Sequence, residues 1–392
     1  MATEKKGMSL PLKLLIGIAV GIVCGLFLPE NVMTIVVTLK YVLNQLIMFC
    51  VPLIVIGFIA PSITKMGSNA TRMLMVAIIV AYASTVLATL MSMIAGYVLV
   101  PFLPIASSME GLKELPGVAF QLDIPQIMPV MSALVFSVLI GLAAVWTKAK
   151  TITAVLQEFQ NIVLSVVKKV VIPVLPFFIA LTFCGLSYDG TITKQFPAFL
   201  LAIVIVMAGH YIWMAALYGF AGVYSGRSSI EVVKHYGPAY LTAVGTMSSA
   251  ATLAVALQCA HKSENLRSDM VDFGVPLFAN IHLCGSVLTE VFFCMTVSQV
   301  LYGELPEFGT MALFCVLLAV FAIGAPGVPG GTVVASLGLI AGVLMFDDAG
   351  RGLMLAIFAL QDSFGTACNV TGDGALTLIL TGYAEKHGIA KT

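Results

Sequence analysis

Residues 361–373, with the sequence QDSFGTACNVTGD, lie in the last long apolar stretch of the chain and put two carboxylates, Asp362 and Asp373, into it. At about 100° per residue, Thr366, Asn369 and Asp373 all fall within about 40° of Asp362 on a helix. We call these four residues the polar stripe. Since a charged group at the bilayer centre costs at least about 2.5–3.5 kcal/mol, the polar stripe is expected to face a cavity or the protein interior, and both carboxylates are functional candidates.

The composition of the whole chain places this stripe in a membrane protein. Of 392 residues, 60% are hydrophobic and 10% are charged, whereas soluble proteins have roughly 45–50% apolar and about 25% charged residues. Because roughly 20 apolar residues span the hydrocarbon core, we predict an all-α polytopic membrane protein with eight transmembrane helices. The candidate stretches lie at about 12–28, 36–60, 73–100, 129–146, 161–184, 196–219, 276–301 and 352–383.

Charge and cysteine content exclude other classes of protein. The formal net charge is zero and Lys and Arg form no cluster, so nucleic acid is not an expected partner. The eight cysteines show neither a CxxC pair nor Cys/His ligand spacing. We therefore interpret them as small buried hydrophobes, not as disulfides or metal ligands.

The distribution of basic residues predicts the topology. Most Lys and Arg residues fall in loops on one side, which indicates cytoplasmic termini and a plasma membrane location, such as the bacterial inner membrane. This topology requires that residues about 231–263 and about 308–347 each enter and leave the membrane from the same face. Each has a tip of small and turn residues, at 245–251 and at 324–331. Paired interrupted segments of this kind are typical of transporter binding sites, so we predict two re-entrant hairpins, inverted repeats and a secondary transporter.

The helix that precedes the second hairpin has polar residues of its own. Its run NIHLCGS at 280–286 is suited to an unwound segment that offers carbonyls to a cation. His282 in this run fits a plain buried histidine as well as a functional one. Glu290 has no basic partner in its segment, and we favour it as a proton carrier over a structural carboxylate.

These motifs together resemble one known family. The stretch 361–373 is similar to the last helix of the dicarboxylate/amino acid:cation symporters, the glutamate transporter family, with the NVTGD motif intact at 369–373. The sequence SSAATL at 248–253 resembles the family's first hairpin tip, and GVPGG at 327–331 resembles the second. The order of helices and hairpins matches along essentially the whole chain. The resemblance implies an elevator-type transporter that works as a homotrimer in the lipid bilayer.

The resemblance also implies a division into a fixed scaffold and a moving transport domain. The scaffold would consist of helices 1–2, in residues 1–72, and helices 4–5, in residues 101–190. The transport domain would contain helix 3, at 73–100, and residues 191–392, which hold helix 6, the first hairpin, helix 7, the second hairpin and helix 8.

Site residues follow from the resemblance by position. Asp362 would bind the α-ammonium group of an amino acid, while Asn369 and the Ser249 region would bind its α-carboxylate. Further residues implied at the substrate are Thr366, Gly365, Ser248, Met247, Ser286, Val328, Pro329 and Gly330. Sodium would be held by Asp373 and Asn369, with Asn280 and His282 contributing partly through backbone carbonyls. No organic cofactor is expected.

Departures from the family pattern point to a particular branch. The arginine that pairs with an acidic substrate side chain is Gly365 here, and the basic residue often found at the first tip is Met247. A second substrate carboxylate would then be buried unpaired, at a cost of roughly several kcal/mol. We therefore expect a small neutral amino acid, as in the serine/threonine branch, with an acidic amino acid or dicarboxylate as the alternative.

Two further departures concern coupling ions. The family's NMDGT motif aligns with residues 282–286, so its Asn and its Asp are both missing. Fewer sodium ions are expected as a result. Glu290 aligns with the glutamate that animal glutamate transporters use for proton cotransport.

Two other function classes fit the sequence less well. A channel needs a continuous polar pore lining, whereas the polar residues concentrate here at one depth. An intramembrane aspartyl protease brings two carboxyl groups to about 3 Å, but eleven residues of one helix separate Asp362 from Asp373 by roughly 16 Å. In addition, Val370 stands where such proteases use glycine. We expect no enzyme activity.

Overall fold

The computed structural model describes residues 10–68, 72–105, 114–325 and 330–389, and in these ranges the chain is helical without β-strands. A π-helical turn, Val167–Val171, joins the helices Lys150–Val166 and Ile172–Tyr188 into one helix of 39 residues. The helices are α1 (Leu10–Phe27), α2 (Glu30–Ser68), α3 (Arg72–Leu99), α4 (Val130–Trp146), α5 (Lys150–Val166), α6 (Ile172–Tyr188), α7 (Thr191–Ser225), α8 (Ser229–Val233), α9 (Gly237–Thr246), α10 (Ser249–Ala260), α11 (Ser268–Ile281), α12 (Cys284–Tyr302), α13 (Phe308–Gly324), α14 (Gly331–Val343) and α15 (Asp348–Lys386).

Long apolar helices confirm the predicted all-α polytopic class. Within the described ranges, six helical segments are long and apolar enough to cross a membrane: Glu30–Pro61, Arg72–Phe102, Lys150–Tyr188, Lys194–Ser225, Ser268–Tyr302 and Asp348–Lys386. The other two predicted stretches, at about 12–28 and 129–146, correspond to α1 and α4, which have 18 and 17 residues. The count of eight spanning helices stays a prediction. Large apolar side chains such as Phe102 and Val223 are exposed on outer surfaces, as a lipid environment allows.

The first predicted hairpin is formed by α9 and α10. The two helices meet at Met247 and Ser248, where Met247 has a left-handed backbone with φ of 52°. The backbone N–H of Ala251 donates to Ser248 Oγ at 3.2 Å, so the serine caps α10. The sharp reversal therefore has a local cause in the sequence of the tip.

The second hairpin is formed by α13 and α14, which together span residues 308–343. Gly330, immediately before α14, has φ of 69°, a conformation that glycine adopts without a steric penalty. Val328 and Pro329, which the sequence assigned to the substrate site, lie at 326–329, outside the described ranges.

The polar run at 280–286 interrupts the helix before the second hairpin, as the sequence suggested. α11 ends at Ile281 and α12 begins at Cys284, while His282 and Leu283 lie between them in non-helical conformations. The carbonyl of Leu283 already accepts a hydrogen bond from the Val287 N–H at 3.0 Å. The His282 N–H also donates to the Phe278 carbonyl at 2.9 Å, so the break keeps part of its backbone hydrogen bonding.

Packing is densest around α15, which contacts α3, α7, α9, α11 and α12 and is buried over most of its length. A second close contact joins α1 to α6. Gly17, Gly21 and Gly25 of α1 lie against carbonyl oxygens of α6, and a Cβ added at Gly21 would meet the Ala180 oxygen at 2.3 Å. Small residues at such spacing let two helix backbones approach closely in a membrane.

Candidate functional site

A small cavity lies where both hairpins approach α15 and α6. Asp362 is the only ionisable residue among the described residues that line it. The remaining lining residues are apolar side chains and one glycine from α6, the first hairpin tip, the second hairpin and α15: Leu175, Ile179, Met247, Gly330, Val333, Val334, Leu355, Phe358 and Ala359. The cavity therefore pairs one carboxylate with an apolar wall.

The backbone of the second hairpin holds Asp362 in position. Asp362 Oδ2 accepts a hydrogen bond from the Gly330 N–H at 2.6 Å, and the side chain is 4% exposed. This N–H belongs to the start of α14, where unpaired donors and the helix dipole favour a negative charge. The contact connects the carboxylate predicted to bind an ammonium group with the second predicted hairpin.

The Asn369 side chain hydrogen-bonds to the start of α12. Its Oδ1 accepts from the backbone N–H groups of Gly285 at 2.7 Å and Ser286 at 3.2 Å. Its Nδ2 donates to Ser286 Oγ at 2.9 Å. Asn369 and Ser286 are thus in contact at the helix break, and neither is among the described residues that line the cavity. Their place at the substrate stays a prediction.

Other predicted substrate residues are buried around this region. Thr366, Ser248 and Ser249 are each less than a tenth exposed, and none of the three lines the described cavity. Gly365 packs against α12: a Cβ added there would lie 3.2 Å from Ser286 Cα and 3.3 Å from its backbone nitrogen. A long side chain at this position would require α12 or α15 to shift.

Asp373 belongs to a separate buried cluster. Its Oδ1 lies 2.9 Å from His282 Nδ1, and His282 Nε2 lies 2.9 Å from Ser84 Oγ of α3. All three side chains are at most 4% exposed. Asp373 Oδ2 has no hydrogen-bond partner among the described residues. We call Ser84, His282 and Asp373 the buried triad.

The structure adds Ser84 to the residues around Asp373 and shows where Asn280 lies. Ser84 was not predicted, although a serine and a threonine side by side in the apolar α3 were a signal that could have found it. Asn280, predicted near sodium, instead exposes its side chain and donates to the Pro276 carbonyl of its own helix at 2.7 Å. The two stripe carboxylates have different partners and form no protease-like dyad.

Glu290 is fully buried in α12 and faces the second hairpin. Its Oε1 lies within hydrogen-bonding distance of the Ser336 hydroxyl of α14. Ser336 Oγ is also 3.0 Å from the Val333 carbonyl oxygen. Glu290 Oε2 has no partner among the described residues. α14 and Gly330 immediately before it therefore contact two of the three carboxylates predicted to take part in transport, Asp362 and Glu290.

Comparison with known proteins agrees with this arrangement. The match to the sodium:dicarboxylate symporter family covers residues 10–383. A Caenorhabditis elegans protein, named as a candidate sodium-dependent excitatory amino acid transporter, is 25% identical over 266 residues, which are 66% of this chain and 52% of that protein. Excitatory amino acid transporter 2 of Mus musculus is 26% identical over 225 residues, 55% of this chain and 38% of the relative.

The chain thus matches about half, or less, of the length of these curated relatives. The resemblance inferred from the hairpin tips and the NVTGD motif is confirmed at the level of the family, while the neutral branch stays a prediction. With two helical hairpins, a broken helix and a family match over nearly its whole length, the chain belongs to the sodium:dicarboxylate symporter family, whose members are elevator-type membrane transporters and not enzymes.

Proposed function

We propose that this chain is a secondary active symporter that moves a small neutral amino acid into the cell, coupled to sodium and to protons. The observation that carries the proposal is the cavity with Asp362 as its single described charge. A buried carboxylate needs a cationic partner or hydrogen-bond donors. The α-ammonium group of an amino acid supplies such a partner, and the apolar wall accepts an uncharged side chain.

The absence of a cation beside this cavity supports a neutral substrate. Its described lining contains neither Lys, Arg nor His. The arginine that the resemblance associates with acidic substrates is Gly365 here, and a Cβ at this position would already lie 3.2 Å from Ser286 Cα. A second substrate carboxylate would lose its water without gaining a partner.

An acidic amino acid or a dicarboxylate is the second candidate. The family name and the names of the relatives favour it, because those relatives are called excitatory amino acid transporters. A dicarboxylate without an amino group would leave Asp362 beside further negative charge, which is unfavourable in a dry cavity. A competition assay with acidic and neutral amino acids discriminates between the two candidates.

Glu290 supports coupling to protons. Ser336 has one hydroxyl proton but lies within reach of two acceptors, the Val333 carbonyl and Glu290 Oε1. If Glu290 is ionised, only one of these acceptors receives that proton. If Glu290 is protonated, it donates to Ser336 Oγ while Ser336 donates to Val333, and every contact is satisfied. The Ser336 contact is thus compatible with both protonation states of Glu290, as a proton carrier requires.

Further parts of the proposal concern assembly and motion. We propose that residues 1–72 and 101–190 form the scaffold of a homotrimer, and that residues 73–100 and 191–392 move with the substrate. We also propose a bacterial inner membrane location with both termini in the cytoplasm. Cross-linking of the purified protein tests the oligomeric state, and accessibility of single cysteines placed at each terminus tests the topology.

The central test is uptake by the purified chain in liposomes. Labelled neutral and acidic amino acids are supplied with sodium and proton gradients imposed separately. We expect a small neutral amino acid to be concentrated when sodium is directed inward, and more strongly when the lumen is also alkaline. Concentration of glutamate or aspartate in preference to every neutral amino acid would refute the proposed substrate class.

A further inference from the structure

The buried triad occupies the position where the family resemblance places a sodium ion. Four residues were candidates for that ion: Asp373, Asn369, Asn280 and His282. Sodium, like other hard cations, requires several oxygen ligands. The arrangement of these four residues decides whether such a set of oxygens exists here.

The oxygens of the amide candidates are not directed at Asp373. Asn369 Oδ1 accepts from two backbone N–H groups of α12, which uses its acceptor capacity. The Asn280 side chain is exposed and bonded to its own helix. Within the described residues, Asp373 Oδ1 therefore meets a ring nitrogen of His282 in place of amide oxygens. Asp373 Oδ2 has no hydrogen-bond partner there, so among the four candidate side chains it is the one buried oxygen left open to a cation, whereas sodium needs several.

His282 fills the space beside Asp373 in either hydrogen-bonding arrangement. Its ring lies between Asp373 and Ser84, with both nitrogens at 2.9 Å from their partners. If Nδ1 carries the proton, it donates to the carboxylate and Ser84 donates to Nε2. If Nε2 carries it, the ring donates to Ser84 and accepts from a protonated Asp373. Both assignments leave nitrogen, not oxygen, next to Oδ1.

Packing fixes the ring in this position. A Cβ added at Gly372 would lie 3.0 Å from His282 Cε1, so the helix that carries Asp373 lies directly against the ring. His282 is fully buried, and its backbone N–H is bonded to the Phe278 carbonyl at 2.9 Å. The ring has little room to swing away and admit a hydrated ion.

We infer that His282 is an ion-specificity residue: its hydrogen bond to Asp373 Oδ1 replaces a sodium site and makes Asp373 unavailable to sodium. The inference deepens the proposed function, since it assigns sodium coupling to other parts of the protein. It also gives a reason why the family's asparagine is absent at position 282, where a shorter amide side chain would leave an oxygen and an open volume beside Asp373.

The experiment measures sodium binding without any amino acid. The full-length protein is purified in detergent, and its melting temperature is recorded over a series of NaCl concentrations, with choline chloride keeping the ionic strength constant. A ligand that binds only the folded state raises the melting temperature in proportion to its occupancy. The proteins compared are the wild type, Asp373→Asn, His282→Asn and His282→Asn with Asp373→Asn, with Ser84→Ala as a control that keeps the His282–Asp373 contact.

We expect Asp373→Asn to leave the sodium response of the wild type unchanged, and His282→Asn to bind sodium at least about tenfold more tightly than the wild type. Adding Asp373→Asn to His282→Asn should remove that gain, and Ser84→Ala should respond like the wild type.

Loss of the wild-type sodium response in Asp373→Asn alone would overturn the inference, even if His282→Asn does not fold. Equal responses of the wild type and a folded His282→Asn would also overturn it. Liposome uptake of amino acids is measured separately, so failure of the proposed transport is distinguishable from failure of this inference.

Discussion

The substitution Asp362→Asn tests the proposed substrate contact most directly. An asparagine oxygen can still accept from the Gly330 N–H, which is 2.6 Å from Asp362 Oδ2, so the hairpin contact and the fold should persist. What is lost is the charge that pairs with the substrate ammonium group. Hydrogen bonds to charged groups contribute about 1.5–3 kcal/mol, which predicts a loss of binding affinity of about 10- to 150-fold.

The assay is equilibrium binding of the labelled amino acid identified in the uptake panel, in saturating sodium. The matched control is Asp272→Asn, which removes an exposed carboxylate of α11 that contacts His261, outside the described cavity lining. Thermal unfolding of both variants checks that they are folded. Binding by Asp362→Asn within about twofold of the wild type, a difference of about 0.4 kcal/mol, would show that the ammonium group does not bind at this carboxylate.

Three further predictions follow from contacts described above. Glu290→Gln should keep its contact with Ser336 and exchange substrate across the membrane, but should no longer accumulate it when a proton gradient is the only driving force, as measured in liposomes. Gly21→Ala should lower the melting temperature, because its Cβ would meet the Ala180 oxygen at 2.3 Å, whereas Gly219→Ala, with nothing within 4 Å, should not; overpacking costs typically about 1–3 kcal/mol. Glutamate and aspartate should compete with the labelled neutral substrate at least about tenfold less well than the unlabelled neutral amino acid does.

Local sequence signals predicted the elements that set the backbone of the site. The hairpins were visible because glycine, proline and serine clusters interrupt apolar runs, and the helix break was visible because polar residues surround Gly285. Such features act over a few residues, so periodicity and turn chemistry are sufficient to find them. The polar stripe on α15 was predicted by helical geometry alone.

Contacts between distant helices could not be predicted in the same way. His282 contacts Ser84, which is 198 residues away in sequence, because α3 packs beside the helix break. Asn369 stays a predicted substrate residue, and its capping of α12 was not predicted. The hydrogen-bonding needs of a broken helix become evident only when the two helices are placed together. Gly365 was recognised as a missing arginine, but its close approach to Ser286 is a tertiary contact that the sequence does not show.

The glycine contact between α1 and α6 limits how the cavity at Asp362 can adapt. Leu175 and Ile179 line the cavity from α6, and α6 cannot move toward α1 because backbone already touches backbone at Gly21. The α6 side of the cavity is therefore fixed in position, and it limits the length of the side chain that the cavity accepts. Any accommodation of a bulkier amino acid must come from the opposite side, where Met247 offers an unbranched and flexible side chain. Changes of substrate preference should accordingly arise at the first hairpin tip and not at α6.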